Sequence, residues 1–325
     1  MTEISVLLSV YNGEKYLREA CDSIISQTFT DFEFIIVDDG STDRSVDILR
    51  SYKDERMKII QQPNKGLSAA LNVGLSASAG KYIARMDADD VSVPHRLETQ
   101  YEFLESHPEC VAVGSNAMVI DADGEYLFTS DQPTDWEIIR SKLPRMSFFH
   151  SSTLYRRDTA LSCGGYQENI KHYYEDLLFF NHLACRGELR NLSQPLLKVR
   201  LVPTSITNFD QKSYPLIMTI VQRILQTGVF SEEDQKLTEK IYCKNDRRWK
   251  ESNYHLRVGK INLEDRLDRR RAINHFLRSL QKRPGNGTSW FNLFLSFFPE
   301  KLIRKWKGWR RRRYAERRQL ASGLG

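Results

Sequence analysis

Phe32-Glu33-Phe34-Ile35-Ile36-Val37-Asp38-Asp39-Gly40-Ser41-Thr42-Asp43 is an apolar run that stops abruptly in oxygen-bearing side chains. A nearly continuous apolar stretch of this length is the mark of a strand buried on both faces of a parallel sheet. The Asp-Gly-Ser that follows is turn chemistry, and Ser41 or Thr42 can cap the helix predicted over Thr42–Lys53. The pattern recurs on either side. Ile4–Val10 leads into Ser9-Val10-Tyr11-Asn12, and Tyr82–Met86 leads into Asp87-Ala88-Asp89-Asp90. Lys15–Gln27 and Leu67–Ala77 carry apolar residues at helical spacing, with a short strand at Met57–Ile60. Such strand–helix repetition predicts an α/β fold, a Rossmann-like, mainly parallel sheet flanked by helices. Ligands bind outside the carboxyl ends of such strands, where these three polar clusters converge.

Further along, a helix is expected from Pro94 to about Ser106, a strand at Val111–Val113, and a hairpin over Met118–Phe128 around Asp121-Ala122-Asp123-Gly124. A helix at Trp136–Leu143, a strand at His150–Tyr155, a tight turn at Gly164-Gly165, a helix at Glu175–Cys185 and a short strand at Leu196–Arg200 complete the α/β region. From about Tyr214 the pattern is helical and polar. The implied domains are a catalytic unit over 1–210, a helical extension over 211–287 that packs on it or makes a homodimer contact, and a C-terminal segment, 288–325, after the breaker-rich Arg283–Thr288.

Three carboxylates in four residues at Asp87, Asp89 and Asp90 repel one another unless a cation or donors compensate. Hard divalent ions accept such oxygens, while the bland alternative is an Asp that caps a helix. Asp38-Asp39-Gly40 is either a turn or a place where one Asp accepts from a bound base or ribose, Gly40 allowing close approach. Glu175-Asp176 is either dipole-favoured acid in a first helical turn or a source of catalytic base. No P-loop, G-x-G-x-x-G or G-x-S-x-G pattern is present.

In this order and spacing, the residues resemble glycosyltransferase family 2, the inverting nucleotide-sugar glycosyltransferases of GT-A fold. The resemblance covers roughly Ile4 to Thr207 and rests on Ser9–Asn12, Val37–Asp43, Asn64-Lys65-Gly66 with Ala69, Asn72 and Gly74, the D-x-D at Asp87-Ala88-Asp89, and Glu175-Asp176, with Gly164-Gly165-Tyr166 ahead of the last. It implies a UDP-sugar donor bound by Ser9, Tyr11, Asn12, Asp39, Lys65 and Asp87, with Tyr11 near the uracil, Asp39 accepting from the base and Asp87 at the ribose. It implies Mg2+ or Mn2+ held by Asp89, with Asp90, and Asp176 as general base toward the acceptor hydroxyl. His150 and Glu175 are implied at the acceptor pocket. The family's R-x-H pattern is replaced here by Arg200-Leu201-Val202. A sugar nucleotidyltransferase, whose Gly-rich basic loop is missing, and a non-catalytic glycan- or lipid-surface-binding protein on a degenerate GT-A fold are the rival readings.

The 325 residues carry a net charge of +6, but the charge is uneven. Ten Lys and Arg against the single acid Glu316 fall between Lys301 and Arg318, leaving the remainder mildly acidic. Just upstream, Trp290, Phe291, Leu293, Phe294, Leu295, Phe297 and Phe298 cluster, too short to span a bilayer. Aromatic residues beside dense basic charge suit an interfacial helix on an anionic membrane surface; a nucleic-acid patch, which we disfavour, and burial against the body are the alternatives. Five widely spaced cysteines without a C-x-x-C pair and an N-terminus without a basic n-region suggest reduced thiols and a cytoplasmic address, peripheral at the inner face of the plasma membrane. A glycan or lipid-linked acceptor fits that address.

Overall fold

The computed structural model describes residues 2–143, 148–168, 174–205, 214–243 and 246–309. The basic run at 310–318 lies outside the described residues. Two compact units are present. The first comprises Met1–Ile120, Thr129–Arg200 and Asp210–Lys240; the second comprises Asp121–Phe128, Leu201–Phe209 and Ile241–Gly325.

The first unit is built on β1 (Ile4–Val10), α1 (Leu17–Ile25), β2 (Phe32–Asp38), α2 (Ser45–Arg50), β3 (Met57–Gln61), α3 (Leu67–Ala77) and β4 (Tyr82–Asp87). β5 (Val91–Ser92), α4 (Arg96–Ser106) and β6 (Cys110–Ile120) follow, then a turn and β7 (Tyr126–Thr129), α5 (Trp136–Lys142), β8 (Leu154–Arg156), α6 (Arg157–Ser162), α7 (Glu175–Ala184) and β9 (Glu188–Arg200). The sheet runs β3-β2-β1-β4-β8-β6-β9-β5. Its first four strands are parallel, β8 is antiparallel to β4 and β6, and β9 is parallel to β6. It is the mixed, mainly parallel, helix-flanked sheet expected. Alternate side chains enter two cores, Val6, Leu8, Phe34 and Ile36 on one face and Leu7, Ile35 and Val37 on the other, as the two-residue period of a strand requires.

The expected elements differ from the structure in places. His150–Tyr155 is not one strand. His150–Ser152 forms a 3-10 turn, and the strand is Leu154–Arg156. The strand anticipated at Val111–Val113 spans Cys110–Ile120, and that at Leu196–Arg200 begins at Glu188. Both were underestimated because small and polar residues such as Ser115, Asn116 and Asn191 interrupt the apolar pattern while staying buried and bonded. The second helix shrinks to Ser45–Arg50, since Ser41, Thr42 and Asp43 are spent on contacts with the first loop.

Beyond β9 the chain is helical: α8 (Tyr214–Thr227), α9 (Glu232–Cys243), α10 (Arg247–Ile261), which ends in a π turn at Asn262–Arg266, α11 (Arg269–Lys282) and α12 (Gly287–Leu295). A last helix, α13, occupies 300–309 of the described residues. The second unit's core gathers Leu263, Ala272, Phe276, Leu295 and Ile303. Among the described residues no helix is long and apolar enough to cross a membrane.

Candidate active site

Strand register sets the site. Val10 pairs with Asp38 across β1–β2, and Ser9 pairs with Asp87 across β1–β4. The loops after β1, β2 and β4 therefore leave one edge of the sheet together. Tyr11 is 54% exposed there, free to present a ring face. Asn12 takes a left-handed conformation, at φ 53°. Its N–H donates to Ser41 Oγ (2.9 Å) and its Oδ1 accepts from the Thr42 N–H (2.8 Å), stitching the first two loops together.

Asp39 is buried, and the chain already uses its carboxylate. It accepts from Gln62 Nε2 (2.7 Å) and from the backbone N–H groups of Lys65 and Gly66 (both 2.9 Å). Gly40 is required beside it, since at φ +76° an added Cβ would sit 2.8 Å from the Asn64 nitrogen. Lys65 is exposed; its backbone, rather than its ammonium, is what the fold fixes here.

After β4, Asp87, Asp89 and Asp90 each bring an oxygen within 4.8 Å of the others. Burial and the Asp87 charge push Asp89 up to about 7. Asp90 is raised well above the usual range by burial and by its two neighbours. Its oxygens are committed, one to Ser151 Oγ and the other to the Arg200 N–H (2.8 Å). Three hard oxygen donors crowded this closely, with Asp89 and Asp90 resisting ionisation, are a donor set a divalent cation would fit. Asp90 is held by its two bonds within the turn, and Asp87 is paired with Arg85.

Two arginines that the sequence reading passed over organise this turn. Arg200 closes β9, its Nε donating to the Asp89 carbonyl (3.0 Å) while its guanidinium pairs with Glu19 and lies 4.5 Å over the Tyr16 ring. Arg85, only 2% exposed, shares a face of β4 with Asp87 and pairs with it. Among the described residues its buried Nε has no hydrogen-bond partner. A charged residue inside the otherwise apolar Tyr82–Met86 run was the available signal for Arg85. For Arg200 the signal was its place at the head of Arg200-Leu201-Val202, while its partners lie more than a hundred residues away.

Glu175 and Asp176 open α7. The residue before them, Tyr174, takes a left-handed conformation (φ 81°) that β-carbon-bearing residues avoid. Burial, then the charge of Asp176, raises Glu175 to about 8. Burial also raises Asp176, against the Leu177 N–H that bonds it (2.7 Å) and the Arg85 charge. Arg85 and Asp87 both act on this pair electrostatically, so the acidic turn and the acidic helix start share one field.

His150 has its Nε2 2.9 Å from Tyr166 Oη, and burial holds it well below its usual range and neutral. Tyr166 is fixed in turn by Asn72, whose Oδ1 accepts from its N–H and whose Nδ2 donates to its carbonyl (both 2.8 Å). Both glycines of the Gly164-Gly165 turn take positive φ, as that tight turn demands. Val202, in place of the family's His, is a buried apolar side chain with no donor to offer.

The glycosyl transferase family 2 model matches residues 5–167. The chain is 44% identical over 126 residues to the glycosyltransferase EpsE of Bacillus subtilis (strain 168), a match covering 38% of this chain and 45% of EpsE. It is 32% identical over 202 residues to the amylovoran biosynthesis glycosyltransferase AmsE of Erwinia amylovora, covering 60% of this chain and 75% of AmsE. Among solved structures, S. aureus TarS 1–349 in complex with UDP-GlcNAc superposes with a TM-score of 0.56 at 18% identity, over 86% of this chain and 89% of that one.

Proposed function

The chain belongs to glycosyltransferase family 2, and from that membership we propose that it transfers a sugar from a UDP-sugar to a hydroxyl of a glycan or lipid-linked acceptor, with inversion at the anomeric carbon. The observation that carries the reading is the joining of two acid clusters, Asp87–Asp90 after β4 and Glu175–Asp176 at the start of α7, in one field around buried Arg85.

In the proposed reaction Asp176 takes the acceptor hydroxyl's proton as that oxygen attacks the anomeric carbon. The bond to the diphosphate breaks and UDP leaves. A carboxylate base in reach contributes about 10²–10⁴ in rate, and a raised pKa suits it to working near neutrality. Tyr11 offers the ring face for the uracil, Asp39 a remaining acceptor position for the base, and Asp87, at the end of β4, a carboxylate for the ribose. Ser9 and the Asn12 and Lys65 backbones shape this pocket, while Glu175 and His150 line the acceptor side. A divalent ion, Mg2+ or Mn2+, held by Asp89 with Asp87 or Asp90 beside it, would supply Lewis-acid stabilisation of the leaving diphosphate.

The relatives indicate a pathway class. AmsE is named for amylovoran biosynthesis, and TarS has been seen with UDP-GlcNAc; assembly of a surface polysaccharide or other glycoconjugate is the corresponding role here. A lipid-linked acceptor would be met at the inner face of the plasma membrane by a peripheral protein.

The test is UDP release from a panel of nucleotide sugars with Mn2+, for the wild type, Asp89→Ala and Asp176→Asn. Asp176→Asn is expected to lose about 10²–10⁴ in kcat at similar donor KM, and Asp89→Ala to lose its response to Mn2+. Unchanged turnover in both variants removes the site assignment. Retention of anomeric configuration in the product, read by NMR, removes inversion.

A further inference from the structure

Helix α12 is packed with its polar side inward. Ser289 and Asn292, with Ser296 just after the helix, are 0–1% exposed. Trp290, Phe294 and Phe297 are 55%, 63% and 70% exposed, with Phe291 also open. In water an amphipathic helix does the reverse.

The inversion is locked in. Ser289 Oγ lies 2.7 Å from Ser279 Oγ, which lies 2.9 Å from Ser252 Oγ, and Asn286 Nδ2 donates to Ser252 Oγ (3.2 Å). Turning α12 to hide its rings would strand these hydroxyls without partners. Leu295 on α12 and Ile303 on α13 reach the Leu263–Ala272–Phe276 core, so both helices are held while the rings stay outside. Phe291 meets Trp306 (5.4 Å) and Phe294 meets Phe298 (4.9 Å), forming one aromatic ridge rather than scattered exposed residues.

Next to the ridge stand exposed Lys301, Arg304 and Lys305, and the sequence continues with Arg310–Arg313, Arg317 and Arg318. We propose that this ridge is a docking surface for an anionic lipid bilayer: Trp290, Phe291, Phe294 and Phe297 enter the headgroup–acyl boundary while Lys301, Arg304 and Lys305 lie over the anionic headgroups. Aromatic insertion beside dense positive charge is the recognised physics of interfacial binding. A second copy of the chain would bring cations against cations, and protein interfaces exclude such charge from their centres. The inference does not depend on the sugar-transfer reading.

The test uses the full chain and a Trp290→Ser/Phe294→Ser/Phe297→Ser variant, whose changes fall on exposed side chains and spare the serine lock. Flotation is measured with phosphatidylcholine vesicles and with vesicles containing phosphatidylglycerol, at low and high salt. The wild type should float with the anionic vesicles, less so at high salt, with blue-shifted tryptophan emission. The variant should bind about 30-fold more weakly, with the same circular dichroism and the same UDP release from soluble substrates. Lys301→Glu/Lys305→Glu should lose the preference for anionic lipid. Three results overturn the proposal: equal flotation of the triple variant, capture by a single-stranded RNA oligonucleotide in preference to anionic vesicles, or a vesicle-free wild-type dimer that the triple variant abolishes. A wild type that floats with anionic vesicles but releases no UDP would count against the catalytic reading alone.

Discussion

The Arg200 backbone N–H donates to Asp90 Oδ1 at 2.8 Å, joining the end of β9 to the acidic turn after β4. The same residue's Nε holds the Asp89 carbonyl at 3.0 Å. Asp90 and Asp89 are thereby both tied to the end of β9.

Arg200→Met keeps the backbone bond to Asp90 but loses the grip on the Asp89 carbonyl and the pair with Glu19. Glu19 can rehydrate, because its side chain is 55% exposed, so the cost to stability should be modest, about 1–2 kcal/mol. The cost to donor turnover should be larger, about tenfold or more, because a displacement of about 1 Å at a ligating group is expensive. Thermal unfolding and UDP release measured on one preparation separate the two effects.

Arg85→Met removes a buried cation whose Nε has no partner among the described residues. Stranding a donor costs about 1–3 kcal/mol, so its removal offsets part of the lost pairing with Asp87, which reaches solvent at the site mouth. The melting temperature should move by only a few degrees. UDP affinity, read by calorimetry, should fall about tenfold or more as Asp87 loses its support, and Arg85→Lys should recover part of it. A variant with wild-type affinity would show that Asp87 is positioned without Arg85.

Glu175 and Asp176 have raised pKa values, Glu175 about 8. A base acts when deprotonated, so the acid limb of the turnover profile should lie at higher pH than an ordinary carboxylate would dictate, in the direction that burial shifts Asp176. Stability moves the opposite way. An acid harder to ionise in the fold than in the unfolded chain weakens the fold as pH rises from the unfolded value through the folded one. Glu175→Gln should therefore raise the melting temperature at pH 8 and change it little at pH 4.

In the second unit, His255 Nδ1 and His275 Nδ1 are 3.0 Å apart, and burial lowers both pKa values, His255 to about 4. Nearby Arg278 and Lys282 push His255 further down, while Asp121 and Asp123 oppose the shift at His275. Histidines held neutral in the fold but protonated in the unfolded chain remove stability as pH falls from about 6.5 toward 4. Urea unfolding at pH 7 and pH 5 should show the difference, and His255→Gln should narrow it.

The α/β class and the site edge were legible because strand burial and strand ends write themselves locally. Ile4–Val10, Phe32–Asp38 and Tyr82–Asp87 each announce a buried strand and its polar terminus. Leu67–Ala77 was found to the residue, since a helix between Gly66 and an extended Ser78 has both ends marked. The long strands β6 and β9 were not, because their buried Ser115, Asn116 and Asn191 are bonded by partners distant in sequence, Ser152, Ser193 and Pro133.

The sequence by itself determined which acids could gather, Asp39, Asp87, Asp89, Asp90, Glu175 and Asp176, and that aromatic and basic residues share the C-terminal segment. Tertiary structure alone decided how each is used. Asp39 is occupied by the Lys65 and Gly66 N–H groups, Asp90 by Ser151 and Arg200, and α12 shows its rings instead of hiding them. The physical reason is the range of the forces. Periodicity and turn chemistry act over a few residues. The hydrogen bonds and charges that commit a side chain depend on neighbours that only the folded chain brings within 3 Å.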